Sequence, residues 1–114
     1  MISMQNRLRK FYEALNAIDK ALYIYHYERA EDYQLPYGVW AEQGEGDCSS
    51  ADNGKKEQTI EGVLDYFTQE EFDPLVDAIQ ECLNGIEGCA WSWTNTQYED
   101  ETKLIHFTWE WELT

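Results

Sequence analysis

The second half of this chain has almost no positive charge. Residues 57–114 hold one base, Lys103, against fourteen acids, whereas residues 1–56 hold seven bases against nine. A surface this negative repels a phosphate backbone, which argues against ordinary DNA or RNA binding through that half. Cysteine is also scarce. Cys48, Cys82 and Cys89 are odd in number and form no CxxC pair, which points to reduced thiols rather than a disulfide framework. Neither an apolar leader at the N-terminus nor a run long enough to span a bilayer is present, so neither export by a signal peptide nor membrane insertion is expected.

Aromatic residues are abundant by contrast. They make up 15% of 114 residues, with five Trp and eight Tyr, while the net charge is −15. With 43% hydrophobic residues the chain can form one modest core, so a single domain over 1–114 is expected rather than an acidic disordered tail. So many Trp and Tyr exceed the needs of a small core. Both types suit positions buried at one end and wet at the other, subunit interfaces included. The charge supports either a solvated face or a surface whose negative potential is used.

The strongest pattern lies at the C-terminus. Ile105, Phe107, Trp109 and Trp111 alternate with His106, Thr108, Glu110 and Glu112, which puts aromatics on one face of a strand and acids on the other. Residues 3–19 have helical periodicity instead: Met4, Leu8, Phe11, Leu15 and Ile18 make a single apolar stripe, with Arg7, Arg9 and Lys10 off it. Strands are predicted over 22–28, 37–42 and 57–67. Between the second and third lies a Gly-rich polar stretch, 43–56, that reads as a long mobile loop. Thr68-Gln69-Glu70-Glu71 has capping-box form, with Phe67 and Phe72 spaced as a hydrophobic staple. Asp73-Pro74 offers a second helix start, and a short turn followed by a helix from about Pro74 to Asn84-Gly85 is expected, burying Leu75, Ile79, Cys82 and Leu83. Two long strands, about 89–98 and 103–113, close the chain. The expected fold is α+β in the order α-β-β-β-α-β-β: a twisted antiparallel sheet of four to five strands with two helices on one face.

Placing Gly54 at the sixth position of an EF-hand loop puts Ala51 at the third and Ile60 at the twelfth, so that match fails. His26 and His106 lack the neighbouring Cys or His ligands of a zinc site. No Cys or Ser sits in an activating context, and no Gly-rich loop links a strand to a helix. The pairs Glu61 with Asp65 and Glu110 with Glu112 share strand faces, as solvent exposure alone would require. No enzyme, metal or cofactor is expected.

Tyr37-Gly38-Val39-Trp40-Ala41-Glu42, Asp65-Tyr66-Phe67-Thr68 with Phe72-Asp73-Pro74, Gln97-Tyr98-Glu99-Asp100-Glu101-Thr102 and the alternating Ile105–Glu112 strand together resemble the tail terminator (tail completion) proteins of long-tailed phages, in the form found in prophages of Gram-positive bacteria. The resemblance runs from about Tyr23 onward. It implies a mixed α/β subunit and a homo-oligomeric ring, typically a hexamer, in the tail and neck of a virion assembled in the bacterial cytoplasm. The ring would cap the tail tube and join it to the head, with tube and head–tail connector proteins as partners and no catalytic residue. The loop, with Glu45, Asp47, Asp52, Asn53, Lys55 and Lys56, matches where such proteins reach a neighbour or the tube. Charge adds two expectations. Arg7, Arg9 and Lys10 would meet the acids of the next subunit, and Glu61, Asp65, Glu110 and Glu112 would partly line a channel that DNA passes without sticking. The competing class is an acidic DNA mimic or an immunity-type inhibitor that binds a basic protein.

Overall fold

The computed structural model describes residues 3–46 and 58–114. In chain order the elements are α1 (Met4–Asn16), β1 (Tyr23–His26), β2 (Tyr37–Glu45), β3 (Ile60–Thr68), α2 (Pro74–Gly85), β4 (Cys89–Glu99) and β5 (Leu104–Leu113). The five strands form one mixed sheet in the order β1-β2-β3-β5-β4. The fold is α+β, in the expected order of elements. None of the described helices is long and apolar enough to cross a membrane.

α1 begins at Ser3, whose hydroxyl accepts from the Asn6 amide at 3.4 Å, relieving one of the unpaired amides of a first turn. The helix stops at Asn16, three residues short of expectation. Asp19 accepts the Ala21 amide at 2.8 Å through its side chain, and this local turn competes with further helix. Ile18 therefore lies past the helix end, yet still packs on the core.

The core fills the space between one sheet face and the two helices. Leu8, Phe11 and Leu15 of α1 and Ile79 and Leu83 of α2 meet Trp40, Leu64, Tyr66, Trp109 and Trp111. Pairing of Leu64 with Trp109 and of Gly62 with Trp111 puts these alternate residues on the same face. The alternation in β5 thus does what its sequence indicates: Trp109, Trp111 and Leu113 are buried and Glu110 is exposed.

Two corrections concern the sheet. β1 pairs with β2 in parallel, from Tyr23 with Tyr37 to His26 with Trp40, while the other pairs are antiparallel. The sheet is mixed rather than wholly antiparallel: β1 is only four residues long, so the short connection 27–36 is enough to carry the chain back to its starting end. Along this path Arg29 lies 3.9 Å over the Tyr33 ring, and Tyr33 packs edge-on against Tyr37 at 4.9 Å. β2 also continues to Glu45, with a bulge between Glu42 and Gly44, so Gln43, Gly44 and Glu45 belong to a strand and not to the loop.

The start of α2 discriminates between the two helix signals. Asp73 caps it, its Oδ1 accepting the Leu75 amide at 2.8 Å, with Pro74 in the first position. The staple does not form. Phe72 is 93% exposed with φ 57, while Phe67 stacks between Tyr37 at 4.7 Å and His106 at 4.2 Å. Phe67 gains more from two ring partners on the sheet than from one at a helix entry.

Candidate functional site: the open sheet face and its bare edge

The sheet face away from the helices is graded from aromatic to acidic. At one end Tyr23, Tyr37, Phe67, His106 and Gln97 stand side by side across the strands. Tyr37 is almost fully buried there because Tyr33 and Phe67 cover it, and burial raises its hydroxyl pKa despite the opposing charge of Arg29. At the far end Glu61 pairs with Glu112, and Glu110 sits one row inward opposite Val63. These three carboxylates surround a shallow depression of about 340 Å³ that also takes in Gln43, Ala90 and Ser92.

All four acids expected on one face are on this face, yet they have different roles. Asp65 Oδ1 accepts from the Thr108 hydroxyl at 2.8 Å and lies 2.8 Å from His106 Nε2. The same Nε2 is 3.4 Å from Thr108 Oγ1. A catalytic relay would have the hydroxyl donate to one imidazole nitrogen and the carboxylate hold the other. Here the hydroxyl donates to the carboxylate, and the imidazole reaches both through a single nitrogen, so the cluster ties β3 to β5. Glu61, Glu110 and Glu112 remain as the acidic corner.

The other histidine lies on the helix side of the sheet. His26 stacks between Trp40 at 3.8 Å and Tyr27 at 3.7 Å, and its Nε2 is 2.7 Å from Glu42 Oε1. The Tyr27 hydroxyl donates to Glu42 Oε2 at 2.5 Å. Burial alone would raise the Glu42 carboxyl, but the Tyr27 and His26 bonds outweigh it and hold the pKa below the ordinary range. Tyr27 adopts φ 75, a costly conformation for an aromatic residue, and it ends β1 after four residues. The sequence carries no local signal for this cluster, because Glu42 and His26 meet only through the parallel pairing. Among the described residues no group of three His, Cys, Asp or Glu is arranged to hold a metal ion.

The thiols are also placed. Cys82 donates to the Ala14 carbonyl at 3.4 Å, tying α2 to α1. Burial raises both described thiols, Cys89 to about 11 with a further push from Cys82. Native Cys89 should therefore react with iodoacetamide at pH 8 about a hundredfold more slowly than in urea. Peptide mapping of the alkylated protein checks this, and equal rates would contradict it.

The basic cluster separates into two kinds of residue. Arg9 and Lys10 are exposed, Arg9 bonding Asn6 at 2.7 Å and lying 3.9 Å from Glu13. Arg7 turns inward instead. Its Nη1 donates to the Gln58 carbonyl at 2.7 Å, and its Nε and Nη2 are buried without a partner among the described residues. Arg7 is thus not part of a free basic patch, because its position on α1 faces the start of β3. Of the loop candidates, Glu45 ends β2 opposite Ile60. Asp47, Asp52, Asn53, Lys55 and Lys56 lie outside the described residues.

One surface was not foreseen. β4 is an edge strand of eleven residues, and among the described residues β5 is its one strand neighbour. From Ser92 onward every residue is exposed, with Trp93 at 58% and Tyr98 at 57%. A bulge lies between Trp93 and Asn95. The Thr94 hydroxyl there donates to the Thr108 carbonyl at 3.2 Å, and the Trp93 indole donates to the Asn95 carbonyl and the Thr96 hydroxyl. The only advance signal was the lack of charge in residues 89–98.

No known family model matches the chain, and no curated protein matches it.

Proposed function

We propose that this chain is a tail terminator (tail completion) subunit of a long-tailed phage, forming a ring that caps the tail tube and joins it to the head. One observation carries the reading. The exposed bases Arg9 and Lys10 are on the helical layer, while Glu61, Glu110 and Glu112 gather on the opposite face of the sheet. A two-sided subunit of this kind favours head-to-tail packing, in which opposite charges meet and the contact closes into a ring. The part of the acidic corner that the neighbour leaves uncovered would face the lumen and weaken contacts between passing DNA and the wall. The resemblance of the Tyr37–Glu42, Asp65–Thr68 and Ile105–Glu112 segments to such proteins supports the same reading. A DNA mimic is the weaker alternative, since mimicry calls for carboxylates spread at phosphate-like spacing over an elongated surface. Here Glu61, Glu110 and Glu112 gather at one end of a sheet face, on strands whose other face carries buried aromatics.

Light scattering on a sizing column, with and without salt and magnesium, tests the ring. Screening the repulsion between acidic subunits should promote a discrete ring-sized species. A monomer under every condition, and in the presence of purified tail tubes, would refute the proposal. For the lumen, Glu110→Lys with Glu112→Lys should leave folding intact, because Glu110 is exposed and Glu112 is half-buried at the rim, but should slow DNA transit. Unchanged transit through rings of the double variant would end the channel-lining idea.

A further inference from the structure

The two edges of the sheet are not equivalent. β1 is four residues long and stops at the left-handed Tyr27, and short edges of this sort resist the addition of another strand. β4 is eleven residues long, and its outer backbone edge faces no other strand among the described residues. Of the usual guards of an open edge, a central lysine and a proline are absent, and a bulge is present. Residues 89–98 contain no Asp, Glu, Lys, Arg, His or Pro, although 27% of the chain is charged. The bulge at Thr94 interrupts the ladder with β5, and side chains of Thr94 and Trp93 bond the carbonyls it displaces.

The charges around this neutral run indicate what pairs with it. Exposed Glu87 precedes it, in a hollow shared with Arg7 and Lys10 of α1, and exposed Glu99, Asp100 and Glu101 follow it, with Lys103 beside them in the chain. On the open face Glu110 lies beside Ser92 and Glu112 beside Ala90, one strand inward. A second copy added in either direction would set acids against acids: Glu87 against Glu99–Glu101 if antiparallel, like against like if parallel. We infer that β4 is a docking edge for an extended segment of a different protein, neutral in its middle and basic at its ends. Backbone hydrogen bonds provide the affinity and the flanking charges the selection. Trp93 and Tyr98, exposed on the helix side of the strand, offer flat rings for the stems of lysine or arginine side chains. The docking edge adjoins the acidic corner of the lumen proposal, but the triple variant below leaves Glu61, Glu110 and Glu112 unchanged, so the two are tested separately.

The test uses a synthetic peptide of about twelve residues with alternating Thr and Val and two Lys at each end, and a matched peptide with Glu ends. Hydrogen exchange of the whole protein reads the site, and fluorescence anisotropy of labelled peptide reads affinity. The Lys-ended peptide should protect amides within residues 89–99 and bind about tenfold more tightly than the Glu-ended one at low salt, with the preference shrinking as salt rises. In the triple variant Glu87→Lys, Glu99→Lys, Glu101→Lys, whose three sites are exposed, the preference should invert. Absence of protection in β4, equal affinity for both peptides, or an unchanged preference in the triple variant would overturn the inference. Protection of β4 that rises with the protein's own concentration would overturn it in favour of self-pairing.

Discussion

Substituting alanine for Gly62 is expected to destabilise the protein by about 3 kcal/mol, as a fall in the urea midpoint at unchanged slope. Gly62 lies near the start of β3, opposite Trp111. A Cβ there would stand 2.4 Å from Trp111 Cζ2 and 2.3 Å from the Ala41 carbonyl oxygen. The indole could shift by distorting its neighbours, but the carbonyl belongs to the β2 backbone and cannot. Shrinking the indole should therefore relieve little of the strain, and a double-mutant cycle of Gly62→Ala with Trp111→Phe would show it. Recovery to near wild-type stability would place the conflict at the ring instead. Trp111→Ala alone should cost about 3–5 kcal/mol, since the ring is 2% exposed and packs 4.4 Å from Phe11. Trp111→Phe should cost less, because the indole N–H has no partner among the described residues and its removal sacrifices no hydrogen bond.

The second large effect is expected at Asp73. One carboxylate oxygen caps α2 through the Leu75 amide, and the other accepts a short hydrogen bond from the buried Tyr66 hydroxyl. Asp73→Ala removes the cap, worth about 1 kcal/mol, and takes from the buried Tyr66 hydroxyl the carboxylate it donates to, worth about 1–3 kcal/mol more. A total near 2–4 kcal/mol is expected. Asp73→Asn, which keeps the cap, should recover part of it. The same pair sets a pH dependence. Burial first, and then the bond to Asp73, raise the Tyr66 hydroxyl well above its ordinary range, while an unfolded tyrosine ionises near pH 10. The folded state thus holds its proton more tightly. The resulting stability is complete below about pH 10 and is lost as pH rises beyond it. Tyr66→Phe should flatten that alkaline decline in denaturant midpoints between pH 9 and 11. An equally steep decline in the variant would assign it to other groups, Tyr37 among them.

Much of this architecture follows from intervals of a few residues. The α1 stripe, the alternation in β5 and the Asp73-Pro74 start of α2 are local signals, and each produced the element it indicates. The fold class and the order of elements follow from them, as does the shared face of Glu61, Asp65, Glu110 and Glu112. What depends on a distant partner was not legible. Parallel pairing of β1 with β2, the meeting of His26 with Glu42, the inward turn of Arg7 and the failure of the Phe67–Phe72 staple each rest on residues far away in sequence or on competing ring contacts across the sheet. The status of β4 is the clearest case. Its composition marks it as a strand without marking it as an edge, because edge or centre is decided by which strand β3 recruits. In this fold β3 takes β5, with its buried Trp109 and Trp111, and β4 is left outside. Periodicity determined which side of each strand is buried, and only the packing of the whole core decided which strand had a free side.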